Sequence, residues 1–420
     1  MQIYLDNVGC RLNWSEIEML ARQLVAVGHT IVAKPAQADL IIVNTCAVTA
    51  QAERKTRHCL RSLHRRSPEA RIAVVGCYAT LRPGLAAGFP GVEWVISNSD
   101  KERACDILGI DPLPAQAPSD PERNIDTLRT RAFVKVQDGC DHHCTYCIVR
   151  CLRGGSRSRP LDEVLLEVQR LSTQADSREI VLTGASLGAY GRDIGLLAGL
   201  RVLVEAILTQ TDVGRLRLSS LEPWHVDETF LELWDDPRMC RQVHLPLQAG
   251  HNTTLRRMGR PITTAAFERL VTAARERIPD VAVTTDLLVG FPGETEETFR
   301  KSCDFVERMK FAKVHVFPYS ERPGTPAAKL PEQVPRQVRD DRARQVRDLA
   351  TRQRDEFRHR FVGRQLPVLW EKQRHDGRWT GWSDNYLRVV ASSDTDLCNR
   401  ITSARILSVE RDYLEGETTV

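Results

Sequence analysis

Strand and helix patterns alternate twice along this chain, which restricts it to parallel α/β architectures. In residues 1–100, short runs rich in β-branched residues, such as ADLIIVN and RIAVVG, alternate with amphipathic segments such as SEIEMLARQLVAVG. Parallel strands need a crossover of a dozen or more residues, usually a helix, so this order predicts a parallel sheet covered by helices. We therefore predict an N-terminal parallel α/β sandwich over residues 1–112.

The second alternating stretch, residues 126–355, contains six strand patterns, and a helical pattern follows each of the first five. The strand patterns are RAFVKVQ, REIVLTG, RLRLSS, QVHLPLQ, VAVTTDLLVG and AKVHVFPY. About six β/α units fit an incomplete TIM-type barrel, (β/α)6, with its active site at the carboxyl ends of the strands; a doubly wound sheet is the alternative. The four prolines of residues 109–124 indicate a linker before this unit.

The last sixty residues change to short strand patterns that end in turns rich in Gly, Asp and Asn. An Arg-rich helical pattern over residues 336–360 precedes them, and the strand patterns are LPVLWEK, RWTGWS, NYLRVVAS and ARILSVERD. Short strands with such turns favour a small all-β barrel, which we predict over residues 360–420.

Positive charge is clustered along the chain, although the net charge is only +4. Basic residues exceed acidic ones by five in residues 50–71, by four in residues 150–159 and by four in residues 336–360. Clusters of this kind predict a polyanionic partner such as nucleic acid, and solvated helix faces are the alternative.

The chain begins without a basic and apolar leader segment and contains no apolar stretch of about 18 residues. Twelve cysteines in 420 residues are also too few for a disulfide scaffold. We therefore expect a cytoplasmic protein without a membrane partner, in which patterned cysteines bind metals or take part in catalysis.

One group of cysteines lies in a single short loop. Cys140, Cys144 and Cys147 form C-x3-C-x2-C directly after the first strand pattern of the second unit. Three thiolates can each ligate one iron of a 4Fe–4S cluster and leave the fourth iron open for another ligand. A zinc site completed by Cys151 or a neighbouring histidine is the alternative, and the role of Cys151 stays open.

A second group of cysteines is spread along the N-terminal unit. Cys10, Cys46 and Cys77 each follow a strand pattern directly, in LDNVGC, IIVNTC and VVGC. The carboxyl ends of parallel strands share one edge of a sheet, so these thiols could hold a second iron–sulfur cluster. Burial as small apolar residues is the alternative reading. We expect structural roles for the remaining cysteines, Cys59, Cys105, Cys240, Cys303 and Cys398.

Longer motifs resemble the radical S-adenosylmethionine (SAM) methylthiotransferase family. Tyr146 precedes the last cysteine of C-x3-C-x2-C, as in the radical SAM signature. The resemblance covers nearly the whole chain, through GCRLN, NTCAVT, GCYA, RLSSLEP, HLPLQAG, TDLLVGFPGETEETF and HVFPYSERPGTPAA.

This resemblance implies a three-part enzyme that uses two 4Fe–4S clusters and SAM. Its auxiliary cluster would lie on Cys10, Cys46 and Cys77 in the N-terminal methylthiotransferase domain, and its SAM cluster on Cys140, Cys144 and Cys147 in a central radical SAM barrel. By analogy, the SAM pocket would be lined by Tyr146, Gly184, Ser220, Glu222 and Gln248.

The family's C-terminal TRAM barrel binds RNA, which implies a tRNA partner for residues 360–420. The aromatics Trp370, Trp379, Trp382 and Tyr386 suit an RNA platform, and packing in the barrel core is the alternative. RNA phosphate or a substrate carboxylate would meet Arg153, Arg157 and Arg159.

The segment NTCAVT followed by AERKTRH resembles the bacterial branch that methylthiolates C2 of N6-threonylcarbamoyladenosine at position 37 of tRNA. That branch implies contact with the anticodon loop and an electron donor such as a flavodoxin or ferredoxin. Isopentenyladenosine-37 and ribosomal protein S12 are the alternative substrates. A non-catalytic RNA-binding iron–sulfur protein and an electron-transfer protein are the alternatives from other classes.

Two residues depart from the family pattern beside the predicted SAM pocket. Arg150 stands where the family usually has proline, and Ser186 where Asn or His is more usual. Neither change removes a predicted cluster ligand, so we expect an altered pocket rather than a lost cofactor.

Overall fold

A five-stranded parallel sheet forms the N-terminal domain of the computed structural model, which describes residues 1–110, 130–173 and 176–419. Its strands are β1 (Gln2–Asn7), β2 (Thr30–Ile31), β3 (Leu40–Thr45), β4 (Arg71–Gly76) and β5 (Val92–Ile96). Its helices are α1 (Arg11–Ala26), α2 (Ala50–Arg66), α3 (Cys77–Leu81), α4 (Pro83–Ala87) and α5 (Ala104–Ile107). The strand order is β2-β1-β3-β4-β5, so the three strands that precede the spread cysteines are neighbours.

Helices cover both faces of this sheet, which confirms the predicted sandwich. Strand β3 is buried throughout, and its alternate residues point to opposite faces. Ile41 packs with Leu60 of α2 on one face, whereas Ile42 packs with Leu20 of α1 on the other. The linker expected over residues 109–124 lies outside the described residues from position 111 onward.

The central domain is an open parallel barrel. Its strands are β6 (Arg131–Lys135), β9 (Glu179–Thr183), β10 (Arg215–Leu218), β11 (Gln242–His244), β12 (Ala282–Val289) and β13 (Lys313–Pro318), with a short antiparallel pair, β7 (Gln137–Asp138) and β8 (Arg157–Ser158). Two three-stranded sheets, β6-β9-β10 and β11-β12-β13, join through a parallel bridge between Ser220 and His244. The six predicted strand units are therefore confirmed, with β6 and β13 at the two edges.

Helices surround the barrel and lead out of it. They are α6 (Val149–Arg153), α7 (Leu161–Thr173), α8 (Gly199–Gln210), α9 (Glu228–Leu231), α10 (Asn252–Arg257), α11 (Thr264–Arg277), α12 (Glu296–Met309) and α13 (Arg336–His359). In the described part of the chain, no helix is long and apolar enough to cross a membrane.

The C-terminal domain is a closed five-stranded barrel in the order β14-β15-β16-β18-β17, as expected of a TRAM domain. Its strands are β14 (Gln365–Gln373), β15 (Trp379–Ser383), β16 (Arg388–Ser392), β17 (Ile401–Val409) and β18 (Leu414–Thr419). The sequence predicts the first four strands and misses β18, since LEGETT lacks an apolar alternation. Trp370 and Trp379 are buried in the barrel core, which favours the packing alternative for these two aromatics.

The N-terminal domain spans the open side of the central barrel. Helix α1 packs against edge strand β6, and Arg22 pairs with Glu167 of α7 at 2.7 Å. At the other edge, the backbone N–H of Ala50 donates to Ser320 Oγ, two residues beyond β13, at 3.1 Å. The interior of the barrel is thus closed laterally by the domain that carries the spread cysteines.

Candidate active site

Cys10, Cys46 and Cys77 converge on one edge of the N-terminal sheet. Cys10 caps α1, Cys46 directly follows β3, and Cys77 begins α3. All three line one cavity of about 440 Å³, which continues between the N-terminal domain and the central barrel. The sheet therefore brings together the three thiols that the sequence predicts to meet.

The surroundings of two of these thiols, Cys46 and Cys10, favour their neutral form until a cation binds. Burial raises the pKa of Cys46 to about 12 and also raises the pKa of Cys10, which the Arg153 guanidinium lowers in part. Because metals bind thiolates, iron must displace these protons when a cluster assembles.

Cys140, Cys144 and Cys147 lie in a loop that is tightly held by backbone contacts. The Cys140 N–H donates to the carbonyl of Gly154 at 3.1 Å, and the Cys147 N–H donates to the carbonyl of Cys144 at 3.0 Å. Gly139 precedes the loop with φ +69°, and a Cβ there would lie 1.8 Å from the Gly155 carbonyl oxygen. Only glycine fits this close approach.

Neither cysteine triad is placed to bind a single metal ion through all three of its sulfurs. Within the described residues, one set of three potential ligands, His244, Asp286 and His315, has its atoms within 4.8 Å of one another. Neither cysteine triad is that compact, whereas the sulfurs of a tetrahedral zinc site lie about 3.8 Å apart. As placed, neither triad is compact enough for one tetrahedral zinc ion.

The histidines proposed as alternative zinc ligands have other partners. His142 Nε2 lies 3.3 Å from His225 Nε2. Arg150 is one of the two departures from the family pattern. Its Nη1 atom lies 2.9 Å from His143 Nε2 and donates to the Asp141 carbonyl at 3.0 Å. Arg150 thus supports the cysteine loop from outside, while Cys151 is exposed.

Of the predicted SAM-pocket residues, Tyr146 lies within the cysteine loop and Glu222 lies against it. Tyr146 accepts a hydrogen bond from Arg260 Nη1 at 3.3 Å. Glu222 accepts one from the Gly188 N–H at 3.0 Å, and burial raises the pKa of its carboxyl group. Ser186, the second departure, is fully buried between Cys140 and Glu222.

The other three predicted SAM-pocket residues lie just beyond the carboxyl ends of barrel strands, as expected for a barrel active site. Gly184 follows β9, where a Cβ would lie 2.9 Å from Gln137 Oε1. Ser220 lies beyond β10 and lines the same cavity as Gly184. Gln248 lies beyond β11, with φ +74° and a backbone bridge to Leu287.

Helix α6 connects the two cysteine sites. It begins two residues after Cys147, and its residue Leu152 packs in the core of the N-terminal domain together with Cys77. Asn98 Nδ2 donates to the Leu152 carbonyl at 2.9 Å and lies 3.4 Å from Cys77 Sγ. The barrel loop and the sheet edge are therefore held next to each other.

The three predicted substrate arginines have different surroundings. Arg153 lines the cavity, but its buried guanidinium donates to Glu16 at 2.8 Å, Asp138 at 2.9 Å and Asn13 at 2.8 Å. Arg159 pairs with Glu167 at 2.5 Å. Arg157 is exposed. Arg153 thus joins the N-terminal domain to the barrel.

Tyr386 and Trp382 lie where the three domains meet. Their rings stack at 4.8 Å, and the Tyr386 hydroxyl accepts hydrogen bonds from Arg11 at 3.0 Å and Arg131 at 3.5 Å. The Arg217 guanidinium lies 4.7 Å from the Tyr386 ring centre. Burial alone would raise the pKa of Tyr386, but the three arginines outweigh it and lower that pKa to about 8. Tyr386 also lines the shared cavity.

Sequence reasoning missed several residues of this site. Asn13 and Glu16 of α1 hold Arg153, and His244, Asp286 and His315 line the cavity from three neighbouring strands. The only signal for the last three is their position inside the motifs HLPLQAG, TDLLVGFPGETEETF and HVFPYSERPGTPAA.

Comparison with known proteins agrees with this architecture. A family model described as the radical SAM superfamily matches residues 134–306, and one described as uncharacterized protein family UPF0004 matches residues 2–96. The chain is 32% identical over 432 residues to the threonylcarbamoyladenosine tRNA methylthiotransferase MtaB of Bacillus subtilis, covering 99% of this chain and 96% of that one.

The chain belongs to the radical SAM methylthiotransferase family. It is also 32% identical over 438 residues to the tRNA-2-methylthio-N(6)-dimethylallyladenosine synthase of Acetivibrio thermocellus, covering 98% of this chain and 90% of that one. Among solved structures, the chain is similar to the radical SAM methyltransferase TsrM of Kitasatospora setae, with a TM-score of 0.58 and 18% sequence identity. The superposition covers 78% of this chain and 76% of the TsrM chain. That likeness shows the shared fold.

As a radical SAM methylthiotransferase, the protein is an enzyme that uses SAM and two 4Fe–4S clusters. The strand-end thiols of the N-terminal domain fit the auxiliary cluster, and the barrel loop fits the SAM cluster. Each triad leaves one iron of a four-iron cluster without a cysteine ligand.

Proposed function

We propose that the protein methylthiolates C2 of N6-threonylcarbamoyladenosine at position 37 of tRNA. The observation that carries the proposal is the shared cavity, which the strand-end thiols and the carboxyl ends of the barrel strands line together. The full-length similarity to a threonylcarbamoyladenosine methylthiotransferase and the segment AERKTRH support this substrate. Identity alone does not separate the branches, because the dimethylallyladenosine relative is equally similar.

The protein's part in the reaction is to place the base between two cofactors. When bound, the SAM cluster with SAM would supply one-electron chemistry at the unactivated C2–H position, and the auxiliary cluster would hold the sulfur to be inserted, which a second SAM methylates. Leu12, Val48 and Phe317 give the cavity an apolar wall around the base. Arg153 keeps α1, and hence Cys10, at a fixed position relative to the barrel.

Basic surface residues would bind the RNA backbone outside the cavity. Arg54 and Lys55 of α2 are exposed, and the first residue of that helix contacts Ser320 at the barrel edge. Arg157 is exposed beside the cysteine loop. We propose phosphate contacts for these three residues, because such contacts position RNA without reading its sequence. A flavodoxin or ferredoxin remains our prediction for the electron donor.

A parallel assay of three substrates tests this proposal. The reconstituted protein, with SAM, sulfide and a reductant under anaerobic conditions, is given tRNA with threonylcarbamoyladenosine, tRNA with isopentenyladenosine, or ribosomal protein S12. We expect methylthiolation of the first only, detected by mass spectrometry of digested nucleosides or peptides. Product on either of the others, with the first untouched, would reassign the substrate.

A further inference from the structure

Strand β13 presents a row of three unlike side chains to the shared cavity. Lys313, His315 and Phe317 are alternate residues, so they lie on the same face, and all three line the cavity. Lys313 and Phe317 are exposed, and the His315 side chain is 40% exposed. Within the described residues, no carboxylate lies within 4.0 Å of the Lys313 ammonium group. This row offers a cation, an imidazole nitrogen and an aromatic face.

A chain of hydrogen bonds reaches the neighbouring His244. Gln242 Oε1 accepts from Arg217 at 3.5 Å, so Gln242 Nε2 donates to Thr284 Oγ1 at 3.0 Å. Thr284 Oγ1 in turn lies 2.9 Å from His244 Nδ1. These contacts hold the His244 ring beside the cavity.

The Asp286 carboxylate determines which nitrogen His315 offers to a ligand. His244 Nε2 lies 3.4 Å from Asp286 Oδ1, and His315 Nδ1 lies 3.1 Å from the same oxygen. A carboxylate oxygen can only accept, so His315 Nδ1 donates to it, and His315 Nε2 is left for a ligand in the cavity.

We propose that Lys313, His315 and Phe317 bind the N6 substituent of the substrate base. The site suits a short side chain that carries a carboxylate and a hydrogen-bond donor, which is the chemistry of a threonylcarbamoyl group; in this respect the inference rests on the proposed function. Lys313 pairs with the carboxylate, His315 Nε2 accepts from the hydroxyl or amide, and Phe317 packs against the apolar part.

The same site would discriminate against an apolar substituent. A dimethylallyl group in this position would desolvate Lys313 and His315 Nε2 without pairing either of them. Unpaired buried polar groups are a strong source of specificity. The β13 row is therefore a specificity-determining element, separate from the groups that hold the cofactors.

Anticodon-arm RNAs that differ only in the N6 substituent test the role of Lys313. One carries threonylcarbamoyladenosine, and the other carries its neutral carboxamide, in which the carboxylate is replaced. For the reconstituted enzyme we expect Lys313→Met to lower kcat/KM about tenfold or more for the carboxylate substrate, with little change for the carboxamide. Lys313→Arg should restore most of the loss. Lys310→Met, an exposed lysine outside the cavity, is the matched control.

A second pair of measurements isolates His315 and does not depend on turnover. His315→Phe should weaken binding of the threonylcarbamoyl RNA, measured by fluorescence anisotropy, and should abolish the advantage of that RNA over an analogue without the threonine hydroxyl. Equal losses on all RNAs, or none, in both the Lys313 and His315 variants would overturn this inference while the proposed function stands. Failure of the unmodified enzyme on threonylcarbamoyl RNA would overturn both.

Discussion

Replacing Arg153 by methionine should destabilise the protein by several kcal/mol, because it breaks a buried charge network between two domains. Arg153 donates three hydrogen bonds, to Glu16, Asp138 and Asn13, at 2.8, 2.9 and 2.8 Å. The side chains of Arg153 and Glu16 are only 4% and 3% exposed. Removing one partner of a buried pair costs about 3–5 kcal/mol.

The remaining charges set where the loss falls in that range. Lys101 lies 2.6 Å from Glu16, and Lys135 lies 3.7 Å from Glu16 and 3.6 Å from Asp138. Without Arg153, these lysines still neutralise much of the negative charge of Glu16 and Asp138. We therefore expect a loss at the lower end of the range, about 3 kcal/mol.

Urea unfolding of Arg153→Met against the unmodified protein measures this loss, with Arg157→Met as the control. Arg157 is exposed, so its replacement should change the free energy of unfolding by about 0.5 kcal/mol or less. A loss below about 1 kcal/mol for Arg153→Met would refute the reasoning, since it would mean that the network contributes no more than a surface pair.

The loss should also depend on pH with a definite sign. Burial alone would raise the pKa of Glu16, but Lys101, Arg153 and Lys135 outweigh it and hold that pKa well below 4.5. A lowered folded-state pKa contributes stability above the unfolded-state value, and that stability is lost as the pH falls through the folded-state pKa. The difference between Arg153→Met and the unmodified protein should therefore shrink in acid.

Three further predictions concern other parts of the molecule. Gly139→Ala should lower the iron content by about half and leave the auxiliary cluster in place. The added Cβ would meet the Gly155 carbonyl and deform the loop that holds the SAM cluster. Unchanged iron and sulfide contents would contradict this prediction. Tyr386→Phe should cost more stability at pH 9.5 than at pH 7. The pKa of Tyr386 is lowered to about 8 in the folded protein, so its ionisation stabilises the folded state as the pH rises from about 8 towards 10. Urea unfolding midpoints at the two pH values check the sign. Arg54→Met combined with Lys55→Met should weaken tRNA binding and flatten its log–log salt dependence by about 1 to 2 units, measured by filter binding; an unchanged slope would place the RNA elsewhere.

The strands and the convergence of the three N-terminal cysteines could be predicted from sequence because short runs and strand ends carry the signal. Six barrel strands carry short apolar runs, and the three N-terminal cysteines follow strands whose ends must share an edge in a parallel sheet. Strand β18 was missed because its place is fixed by pairing with β16 and β17 rather than by its own pattern.

The surroundings of the site residues could not be predicted because they depend on tertiary contacts. Arg153 belongs to a run of four arginines that resembles a phosphate-binding patch, yet its side chain is turned inward by Glu16, 137 residues away. Tyr386 lies in a segment typical of an RNA-facing turn, but three arginines from two other domains hold it at the domain junction. Spacing along the chain carries no information about partners that distant.

The measurement that tests the account most directly follows SAM cleavage and nucleoside modification together in three cysteine variants. In anaerobic reactions with tRNA carrying threonylcarbamoyladenosine, Cys147→Ala should abolish both cleavage and the methylthio product. Cys46→Ala should abolish the product while cleavage continues. Cys240→Ala, which changes a buried cysteine outside both sites, should retain both. Methylthio product at the unmodified yield from Cys46→Ala would contradict the division of the reaction between two separate cysteine sites.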